Sequence, residues 1–355
     1  MRAAVLRQGR IVVADVAEPR PSHGQLLCTT VACGICGSDL HFVKHGDRMA
    51  ELSREGGSRS DLSFERDVVM GHEFVAEVLE LGPEPLTNAR PGDLVVSMPI
   101  LFGSFPPTID TIGAIGYSNT ISGGYAERLV LSGPLALRVP NGLPADHAAL
   151  TEPMAVGVHA VNKSGITPSD SAIVHGCGPV GLAIIAALRL KGIESIVAAD
   201  FSPNRRDLAL RMGAVAVVDP AVESVFDVWA GIVGWTGPQF GETVGLVQFE
   251  AVGVPGVLNS LMKCAPRGTR ITVVGVCMEA DTIQPIFGIN KELQLQFVLG
   301  YTADEFAETL GHIAEGRLEV APLITGRVGL DDVAQAFAEL GDPGKHAKIL
   351  VVPAA

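Results

Sequence analysis

The stretch "SAIVHGCGPVGLAIIAALRLKG", residues 171–192, combines an apolar strand, a glycine-containing turn and a long apolar helix. The run "SAIV" has the composition of a buried strand, and "VGLAIIAALRL" has that of a buried helix. Between them, Gly176, Gly178 and Gly181 have the spacing G-x-G-x-x-G. The spacing alone is a weak signal, but between a strand and a helix it is typical of a βαβ unit that binds a dinucleotide.

Each of the three glycines has its own physical role in such a turn. Gly176 allows the tight turn, Gly178 lets a pyrophosphate approach the backbone, and Gly181 lets the helix lie close to the sheet. The pyrophosphate would then lie at the helix N-terminus, where free N–H groups and the helix dipole favour an anion. The alternative interpretation is an α/β turn that binds no nucleotide.

The next strand, "SIVAAD", ends at Asp200, which lies 19 residues after Gly181. In dinucleotide-binding units, an acidic residue about 20 residues after the motif accepts hydrogen bonds from the adenosine ribose. A carboxylate there would repel a 2′-phosphate, so the sequence favours NAD over NADP. Arg205 and Arg206 complicate this preference, because a guanidinium can either stack on adenine or bind a 2′-phosphate.

The rest of the second half alternates strands with helices, which predicts a parallel sheet. The first half, to about residue 150, instead has short strands between glycine and proline turns. We therefore expect an α/β fold in which a Rossmann-type, doubly wound parallel sheet is joined to a mostly β domain. Inside the β half, residues 44–67 are charged and contain glycine, which predicts a long surface loop or a short helix with loose flanks.

The composition excludes several classes of protein. The chain has 355 residues, which favours two domains, and its 47% hydrophobic and 18% charged residues argue against disorder. A net charge of −13, without a Lys/Arg cluster, argues against a nucleic-acid partner. The longest apolar run, "GLAIIAAL", is far shorter than the ~18 residues of a membrane span, so no membrane segment is expected.

The six cysteines are widely and unevenly spaced. The opening stretch "MRAAVLRQGRIVV" lacks the apolar region of a signal peptide and reads as a strand. We therefore expect reduced thiols in a cytoplasmic protein.

A second informative stretch is "CGICGSDLH", residues 33–41, in which Cys33 and Cys36 form a C-x-x-C. It could be a redox pair, half of a zinc knuckle, or one metal ligand with an idle neighbour. Because no second cysteine pair follows, a four-cysteine site is excluded. Cys36, His72 and Glu152 would supply one sulfur, one nitrogen and one oxygen, which suits a catalytic zinc with an open position.

Several motifs together resemble those of the zinc-dependent medium-chain alcohol dehydrogenases, nearest to the sorbitol, butanediol and threonine dehydrogenase branch. The resemblance covers essentially the whole chain and rests on "CGICGSDLH", "GHEF", "RPGDLVV", "GGYAE", "TEPMAVGVHA", "HGCGPVG" and "AADFSPNR". It implies a GroES-like catalytic domain over residues 1–153, an NAD-binding Rossmann domain over 154–298 and a return to the catalytic domain over 299–355.

The resemblance also implies the metal ligands. Cys36, His72 and Glu152 match the ligands of a catalytic zinc. Glu73 matches a near ligand that binds the metal directly in some relatives. Cys33 is not a ligand in the family pattern and is expected to pack.

Two further residues match a proton relay, and a third matches a carboxylate that orients a zinc ligand. Ser38 matches the hydroxyl that takes the proton of the substrate, and His41 matches the outer end of the relay, reached through the nicotinamide ribose. Asp39 matches the carboxylate that orients the liganding histidine. Cofactor contacts are implied at the three glycines of the motif and at Pro179, Val180, Asp200, Arg205, Val274, Gly275, Val276, Leu299, Gly300 and Tyr301.

The chain departs from the family pattern in two places. Many relatives carry a structural zinc lobe with four closely spaced cysteines, but residues 98–124 contain none. We therefore predict one catalytic zinc and no structural zinc, with that lobe held by packing. The interval between Cys36 and His72 is also longer than usual, and the surplus lies within residues 44–67, near the expected substrate entrance.

The function implied is the reversible, NAD-linked oxidation of a secondary, cyclic or polyol alcohol to the ketone or aldehyde. One alternative is a zinc-free, NAD(P)H-dependent reductase of activated C=C bonds on the same scaffold. A more remote alternative is a non-enzymatic, nucleotide-binding redox sensor. The resemblance further implies a homodimer or homotetramer that forms through an edge strand of the nucleotide domain.

Overall fold

The structure is a computed structural model that describes residues 1–57, 62–104, 107–108, 112–140, 142–237 and 244–354. It is an α/β fold with two principal sheets, as the sequence predicts. One is a mixed sheet built from both ends of the chain, and the other is a parallel sheet built from the middle. The candidate metal-binding residues lie at strand ends of the mixed sheet and at the start of the helix that leads into the parallel sheet.

The first part of the chain is mostly β, with a single long helix, α1 (Gly37–Glu55). Its strands are β1 (Arg2–Arg7), β2 (Arg10–Asp15), β3 (Gln25–Gly34), β4 (Val68–Val69), β5 (Glu73–Leu81), β6 (Leu94–Ser97), β7 (Ile100–Phe102), β8 (Ile112–Ala114), β9 (Arg128–Ser132) and β10 (Ala136–Arg138). The opening stretch is a hairpin of β1 and β2 rather than one strand, because Gln8 and Gly9 adopt positive φ angles of 49° and 75°.

The middle of the chain alternates helices and strands. The helices are α2 (Ala145–Ala148), α3 (Thr151–Lys163), α4 (Pro179–Leu190), α5 (Pro203–Met212), α6 (Val225–Val233), α7 (Val257–Cys264) and α8 (Pro285–Lys291). The strands are β11 (Ser171–His175), β12 (Ile196–Ala199), β13 (Ala216–Val218), β14 (Leu246–Glu250), β15 (Arg270–Val273) and β16 (Gln294–Phe297). They form a fully parallel sheet in the order β13-β12-β11-β14-β15-β16. This order reverses between β11 and β14, where doubly wound folds bind their ligands.

The end of the chain returns to the first sheet. Two helices, α9 (Ala303–Ala314) and α10 (Val333–Leu340), accompany two strands, β17 (Ile324–Val328) and β18 (Lys348–Val351). The mixed sheet runs β10-β6-β5-β3-β18-β17, with β9 also paired to β3. Strand β18 therefore lies directly beside β3, where Leu350 is opposite Gly34. The domain boundaries at residues 153 and 298 stay predictions, and the first falls inside α3.

Residues 44–67 are more helical than a surface loop. Helix α1 continues to Glu55, with a kink at His45, whose φ and ψ are −133° and 19°. At the kink, Gly46 is buried against Phe64, and a Cβ on Gly46 would lie 2.1 Å from the Phe64 ring. The segment therefore folds back on itself and covers the start of α1. Residues 58–61 of the predicted loop lie outside the described residues.

Candidate active site

Three metal-binding side chains meet where two strands end and begin. Cys36 follows β3 as the N-cap residue of α1, and His72 and Glu73 lie at the start of β5. One ligand atom from each lies within 4.8 Å of the others. His72 and Glu73 are buried, whereas Cys36 is partly exposed. A site with buried ligands and one side open suits a catalytic metal better than a structural one.

Asp39 lies against the Nδ1 side of the His72 ring. Its Oδ1 lies 3.4 Å from His72 Nδ1, which leaves Nε2 of the imidazole as the available ligand atom. Asp39 is fully buried and accepts hydrogen bonds from the Cys36 N–H at 3.0 Å and the Tyr125 hydroxyl at 2.6 Å. Burial alone would raise the pKa of the Asp39 carboxyl, but His72 and these donors lower it below its usual range. Asp39 is therefore a carboxylate held in place by donors.

Glu73 is held by a lysine from the last strand. Lys348 Nζ lies 2.7 Å from each oxygen of Glu73 and 3.0 Å from the Ile35 carbonyl oxygen. Both side chains are almost completely buried. Gly34 makes room for this pair, because a Cβ there would lie 2.0 Å from Glu73 Oε2. The pair fixes the Glu73 carboxylate beside Cys36 and His72.

Glu152, predicted as the third zinc ligand, lies outside this close group. It is buried near the start of α3 and accepts a hydrogen bond from the Tyr301 hydroxyl on Oε1 at 2.8 Å. Burial raises the pKa of Glu152 to about 7, although His72 opposes this shift. Its second oxygen has no protein donor among the described hydrogen bonds. The structure therefore brings together Cys36, His72 and Glu73, with Glu152 close by.

This donor set fits a divalent cation. Asp39, Glu73 and Glu152 are buried carboxylates, and Lys348 is the buried lysine among them. Burial by itself lowers the pKa of the His72 imidazole, but Asp39 and Cys36 beside it raise that pKa well above its usual range. A site that draws a proton onto a buried histidine would equally be stabilised by a metal cation in its place. Thiolate, imidazole and carboxylate donors together suit zinc.

The predicted relay residues lie on the first turns of α1. Ser38 is partly exposed, and its Oγ lies 2.8 Å from the Tyr117 hydroxyl. His41 follows one turn later and is also partly exposed. Burial, together with the nearby His45 and Lys44, lowers the pKa of His41, so its imidazole is neutral and can accept a proton near pH 7. Among the described hydrogen bonds, none joins Ser38 directly to His41.

Cys33 is a packed side chain rather than half of a redox pair. It is fully buried in β3, and Cβ atoms on Gly124 and Gly71 would lie 2.6 Å and 2.9 Å from its sulfur. Burial raises the pKa of the Cys33 thiol well above its usual range, which keeps it protonated and unreactive. Cys33 and Cys36 are both free thiols.

The glycine motif has the geometry expected of a dinucleotide turn. Gly176 has a φ of 90°, and a Cβ on Gly181 would lie 1.8 Å from the Gly176 carbonyl oxygen. A Cβ on Gly178 would meet only Arg205, at 3.9 Å, so this position is open to a ligand. Helix α4 begins directly afterwards at Pro179, with Val180 next and Gly178 as the N-cap residue. The turn thus presents the N-terminus of a buried helix at an open surface.

Asp200 lies beside this turn at the end of β12. Its two oxygens accept hydrogen bonds from the backbone N–H groups of Cys177 and Ser202, both at 2.8 Å. Arg205 Nη1 lies 4.0 Å from Asp200, and Arg205 Nε is buried with no hydrogen-bond partner among the described residues. Arg206 instead binds the Asp200 carbonyl oxygen at 2.7 Å and Asp219 at 3.1 Å. Arg205 is therefore the arginine that is available to a nucleotide.

The remaining predicted cofactor positions follow β15 and β16. Val274 and Gly275 both donate their N–H to the Glu250 carbonyl oxygen at 2.9 Å, and Val276 is exposed after them. Leu299 is 90% exposed, Gly300 has a φ of 61°, and Tyr301 turns back to Glu152. These segments lie at the carboxyl end of the parallel sheet, as the glycine turn does.

Two tyrosines and one lysine of the site were missed by the sequence analysis. The chain has only three tyrosines, and Tyr117, Tyr125 and Tyr301 all hydrogen-bond to site carboxylates. Their scarcity is a signal that could have been used. Lys348 lies in an apolar strand, "KILV", where a lysine is unusual unless it is paired. No local pattern indicates which carboxylates these residues contact.

Comparison with known proteins agrees with this geometry. Residues 22–141 match the family model described as the alcohol dehydrogenase GroES-like domain, and residues 179–315 match that described as zinc-binding dehydrogenase. The chain is 32% identical to the (R,R)-butanediol dehydrogenase of Bacillus subtilis (strain 168), over 98% of this chain and 97% of that protein. The chain belongs to the zinc-dependent medium-chain alcohol dehydrogenase family.

Solved structures and more distant relatives support the same assignment. A crystal structure of 2R,3R-butanediol dehydrogenase from Bacillus subtilis has a TM-score of 0.82 and 30% identity, over 99% of both chains. The sorbitol dehydrogenase of Bacillus subtilis (strain 168) is 24% identical over 99% of this chain and 97% of its own length. A structure described as a zinc-binding dehydrogenase from Sinorhizobium meliloti 1021, bound to NADP, has a TM-score of 0.82 and 26% identity, over 99% of both chains.

Membership of this family identifies the chain as an oxidoreductase of the alcohol dehydrogenase type. The relatives give no support to the alternative of a zinc-free reductase of C=C bonds. None of the helices in the described ranges is long and apolar enough to cross a membrane.

Proposed function

We propose that this alcohol dehydrogenase is zinc-dependent and NAD-linked, and that it reversibly oxidises secondary alcohols, including vicinal diols and polyols. The observation that carries the proposal is the buried cluster of Cys36, His72 and Glu73, with Asp39 behind the histidine. Tyr301, which follows the last strand of the parallel sheet, donates a hydrogen bond to Glu152 beside this cluster. The similarity to a butanediol dehydrogenase and a sorbitol dehydrogenase supports the substrate class.

The chain offers two carboxylates as the third zinc ligand beside Cys36 and His72. Glu73 is nearer, but both of its oxygens already accept hydrogen bonds from Lys348. Glu152 is farther away, but its second oxygen accepts no hydrogen bond from the part of the chain that the structure describes. When bound, zinc supplies a Lewis acid that lowers the pKa of an alcohol hydroxyl. Zinc content measured for Glu73→Gln and Glu152→Gln separates the two arrangements.

The proton leaves the site along α1. Ser38 lies two residues after Cys36 in the first turn of α1 and is partly exposed, and we assign it the role of first proton acceptor. His41 lies one helical turn farther out, and its lowered pKa makes it a neutral base that can pass the proton to solvent. Asp39 keeps the imidazole of His72 in one orientation and one tautomer.

The cofactor proposed is NAD, and the nicotinamide supplies the hydride acceptor. Asp200 supports NAD because a carboxylate accepts hydrogen bonds from ribose hydroxyls and repels a 2′-phosphate. Although two backbone N–H groups already bind it, a carboxylate has about four lone-pair sites and can accept further hydrogen bonds. The NADP-bound relative and the unpartnered Arg205 Nε make the opposite preference the alternative to test.

A panel of alcohols assayed with NAD and NADP in parallel tests the proposal. The panel contains (R,R)-butanediol, sorbitol, a cyclic secondary alcohol and an aromatic alcohol, and metal analysis accompanies it. We expect zinc in the purified protein, oxidation of the secondary alcohols and a preference for NAD. Absence of zinc, or absence of alcohol oxidation with either nucleotide, would contradict the proposal. A strong NADP preference would overturn the role given to Asp200.

We also propose that the chain forms a homodimer or homotetramer through β16. This strand pairs with β15 on one side only among the described strands. Its outer face and the preceding helix α8 expose Ile286, Ile289 and Phe297. A bare edge strand beside exposed apolar side chains favours pairing with a second copy. A cytoplasmic location is proposed as well, supported by the six free thiols.

A further inference from the structure

One hydrogen-bonded side chain at the site has no role in the proposed mechanism. The Tyr117 hydroxyl lies 2.8 Å from Ser38 Oγ and 3.0 Å from Asp39 Oδ1. It therefore joins the proposed proton acceptor to the carboxylate that supports His72. Its ring packs against Phe42 and His72, with centroid distances of 4.9 Å and 5.2 Å.

The hydrogen-bonding capacity of these groups fixes the direction of each bond. A tyrosine has one hydroxyl proton, and Tyr117 donates it to the Asp39 carboxylate. In the shorter contact, Tyr117 must then be the acceptor and Ser38 the donor. Before the reaction, the Ser38 proton is held by Tyr117, so the Ser38 oxygen keeps its lone pairs for an incoming hydroxyl. As Ser38 takes the alcohol proton, it releases its own proton through solvent at its partly exposed side toward His41, so Ser38 stays a neutral hydroxyl.

We infer that Tyr117 is a positioning residue that holds Ser38 Oγ as a hydrogen-bond acceptor toward the alcohol. This inference rests on the proposed role of Ser38 as the first proton acceptor. Without Tyr117, the Ser38 hydroxyl can rotate and donate toward the alcohol oxygen, an orientation that cannot accept the proton. Orientation of a catalytic group before the reaction is a recognised source of rate enhancement.

The segment that carries Tyr117 is fixed by the side chain of Asn119, two residues later. Asn119 donates Nδ2 hydrogen bonds to the carbonyl oxygens of Ser63, Arg66 and Asp67, at 2.8, 3.2 and 3.2 Å. Asn119 Oδ1 also accepts the Ser63 N–H at 2.8 Å. Asn119 therefore ties the segment that carries Tyr117 to residues 63–67. This tie holds the Tyr117 ring in place.

Tyr125 provides a matched control. Its hydroxyl also donates to Asp39, on Oδ2 at 2.6 Å, but it has no described hydrogen bond to Ser38. Tyr117→Phe and Tyr125→Phe each remove one tyrosine donor from the same carboxylate. An effect that passes through Asp39 and His72 is common to both variants. An effect that passes through Ser38 belongs to Tyr117→Phe alone.

The experiment is a double-mutant comparison with Ser38→Ala, using (R,R)-butanediol and NAD, with zinc content and thermal unfolding recorded. We expect Tyr117→Phe to keep zinc and to lower kcat about tenfold with little change in KM, roughly the effect of one oriented hydrogen bond. We expect no further loss from Tyr117→Phe when Ser38→Ala is already present. The effect of Tyr125→Phe should add to that of Ser38→Ala.

The other outcomes overturn the inference in distinguishable ways. Tyr117 does not act through Ser38 if Ser38→Ala lowers kcat but Tyr117→Phe does not. The same conclusion follows if the fold-losses of kcat in the two single variants multiply in the double variant. Loss of zinc in Tyr117→Phe would place its action on His72 instead. If Ser38→Ala retains the parental kcat, the proposed role of Ser38 is wrong and the inference falls with it. If Tyr117→Phe does not fold, Phe42→Leu is used instead, because it loosens the packing of the Tyr117 ring. Its smaller loss of kcat should also be absent when Ser38→Ala is already present.

Discussion

At the scale of single residues, the two cysteines of "CGICGSDLH" have opposite environments. Cys33 is enclosed by Gly71 and Gly124, whereas Cys36 is partly exposed and faces His72 and Glu73. A C-x-x-C spacing puts two thiols close in sequence, but the end of β3 between them turns one inward and the other toward the site. The two positions therefore serve as controls for each other.

We expect Cys36→Ala to lose both zinc and alcohol oxidation, because it removes the only cysteine of the cluster within the described residues. Cys33→Ala should retain both. It should lower the free energy of unfolding by about 1–2 kcal/mol, since it leaves a small cavity in a packed core. Metal analysis, activity and urea unfolding of the two variants check this. Zinc loss in Cys33→Ala alone would reverse the assignment.

The Glu73–Lys348 pair gives a second prediction for single residues. Burial alone would lower the pKa of the Lys348 amine, but Glu73 raises it, so the amine stays charged in the interior. Lys348→Met leaves the Glu73 charge uncompensated and should lower the free energy of unfolding by about 3–5 kcal/mol. The double variant Glu73→Gln with Lys348→Met should be more stable than Lys348→Met alone. Equal stability of Lys348→Met and the parent, by urea unfolding, would refute this.

What the sequence predicted at this scale depends on how local each contact is. The glycine turn lies within one short segment, so spacing alone describes its geometry. Cys36 and His72 adjoin strand ends within recognisable motifs. Lys348 meets Glu73 across 275 positions, and Tyr117 meets Ser38 across 79, and nothing near either residue encodes the partner. The Lys348–Glu73 contact follows from the sheet pairing that places β18 and β5 on either side of β3.

At the scale of elements, the least accurate prediction concerned α1. Its second half contains Gly46 and many charged residues, which weaken the apolar period that identifies a helix. The helix is stabilised there by tertiary packing, because the buried Gly46 admits the Phe64 ring. Strand β16 was missed for a related reason, since its mostly exposed residues lack an alternating pattern.

Helices α3 and α9 are joined by one carboxylate, and this contact gives a pH-dependent prediction. Glu305 accepts hydrogen bonds from Asn162 at 2.9 Å, His159 at 2.7 Å and the Thr302 N–H at 2.9 Å. Burial by itself would raise the pKa of Glu305, but these donors lower it to about 2, from a usual value of 4.5. A carboxyl whose pKa is lower in the folded chain stabilises the fold at pH values above its pKa in the unfolded chain. This stabilisation is lost as the pH falls toward the folded pKa of about 2.

We therefore expect Glu305→Gln to be less stable than the parent at pH 6, with a difference that shrinks steadily below pH about 4.5. Urea unfolding at several pH values measures this. Comparison at each pH cancels the loss of metal that acid causes in both proteins. Glu308→Gln, at an exposed position of the same helix, is the control and should show no such trend. A difference between Glu305→Gln and the parent that is constant with pH would contradict the prediction.

At the scale of the whole molecule, the two sheets share one core. Ala32 and Val75 of the mixed sheet belong to the same buried cluster as Met154 of α3 and Ile184 of α4. Helix α3 thus packs against both halves, and Glu152 at its start lies beside the metal cluster. This shared core fixes the distance between the nucleotide turn and the metal-binding residues. The sequence showed both halves, but their relative position depends on this packing.

The exposed edge of the parallel sheet leads to a prediction about assembly. Ile289 and Phe297 are 71% and 64% exposed beside the unpaired side of β16, whereas Val222 is 80% exposed in the turn after β13. If β16 is the contact between copies, lysines in place of Ile289 and Phe297 should prevent association, because they place charge in an apolar interface. A lysine at Val222 should not, because a single exposed apolar residue needs no partner.

We therefore expect Ile289→Lys with Phe297→Lys to halve the molar mass in sedimentation, to the single 37.1 kDa chain for a dimeric parent and to a dimer for a tetrameric one. Val222→Lys should keep the parental mass. Zinc content should be unchanged in both variants, because neither surface touches Cys36 or His72. A double variant that stays fully associated would show that the copies meet elsewhere. A parent that sediments as a single chain would show that this edge is covered by no second copy in solution.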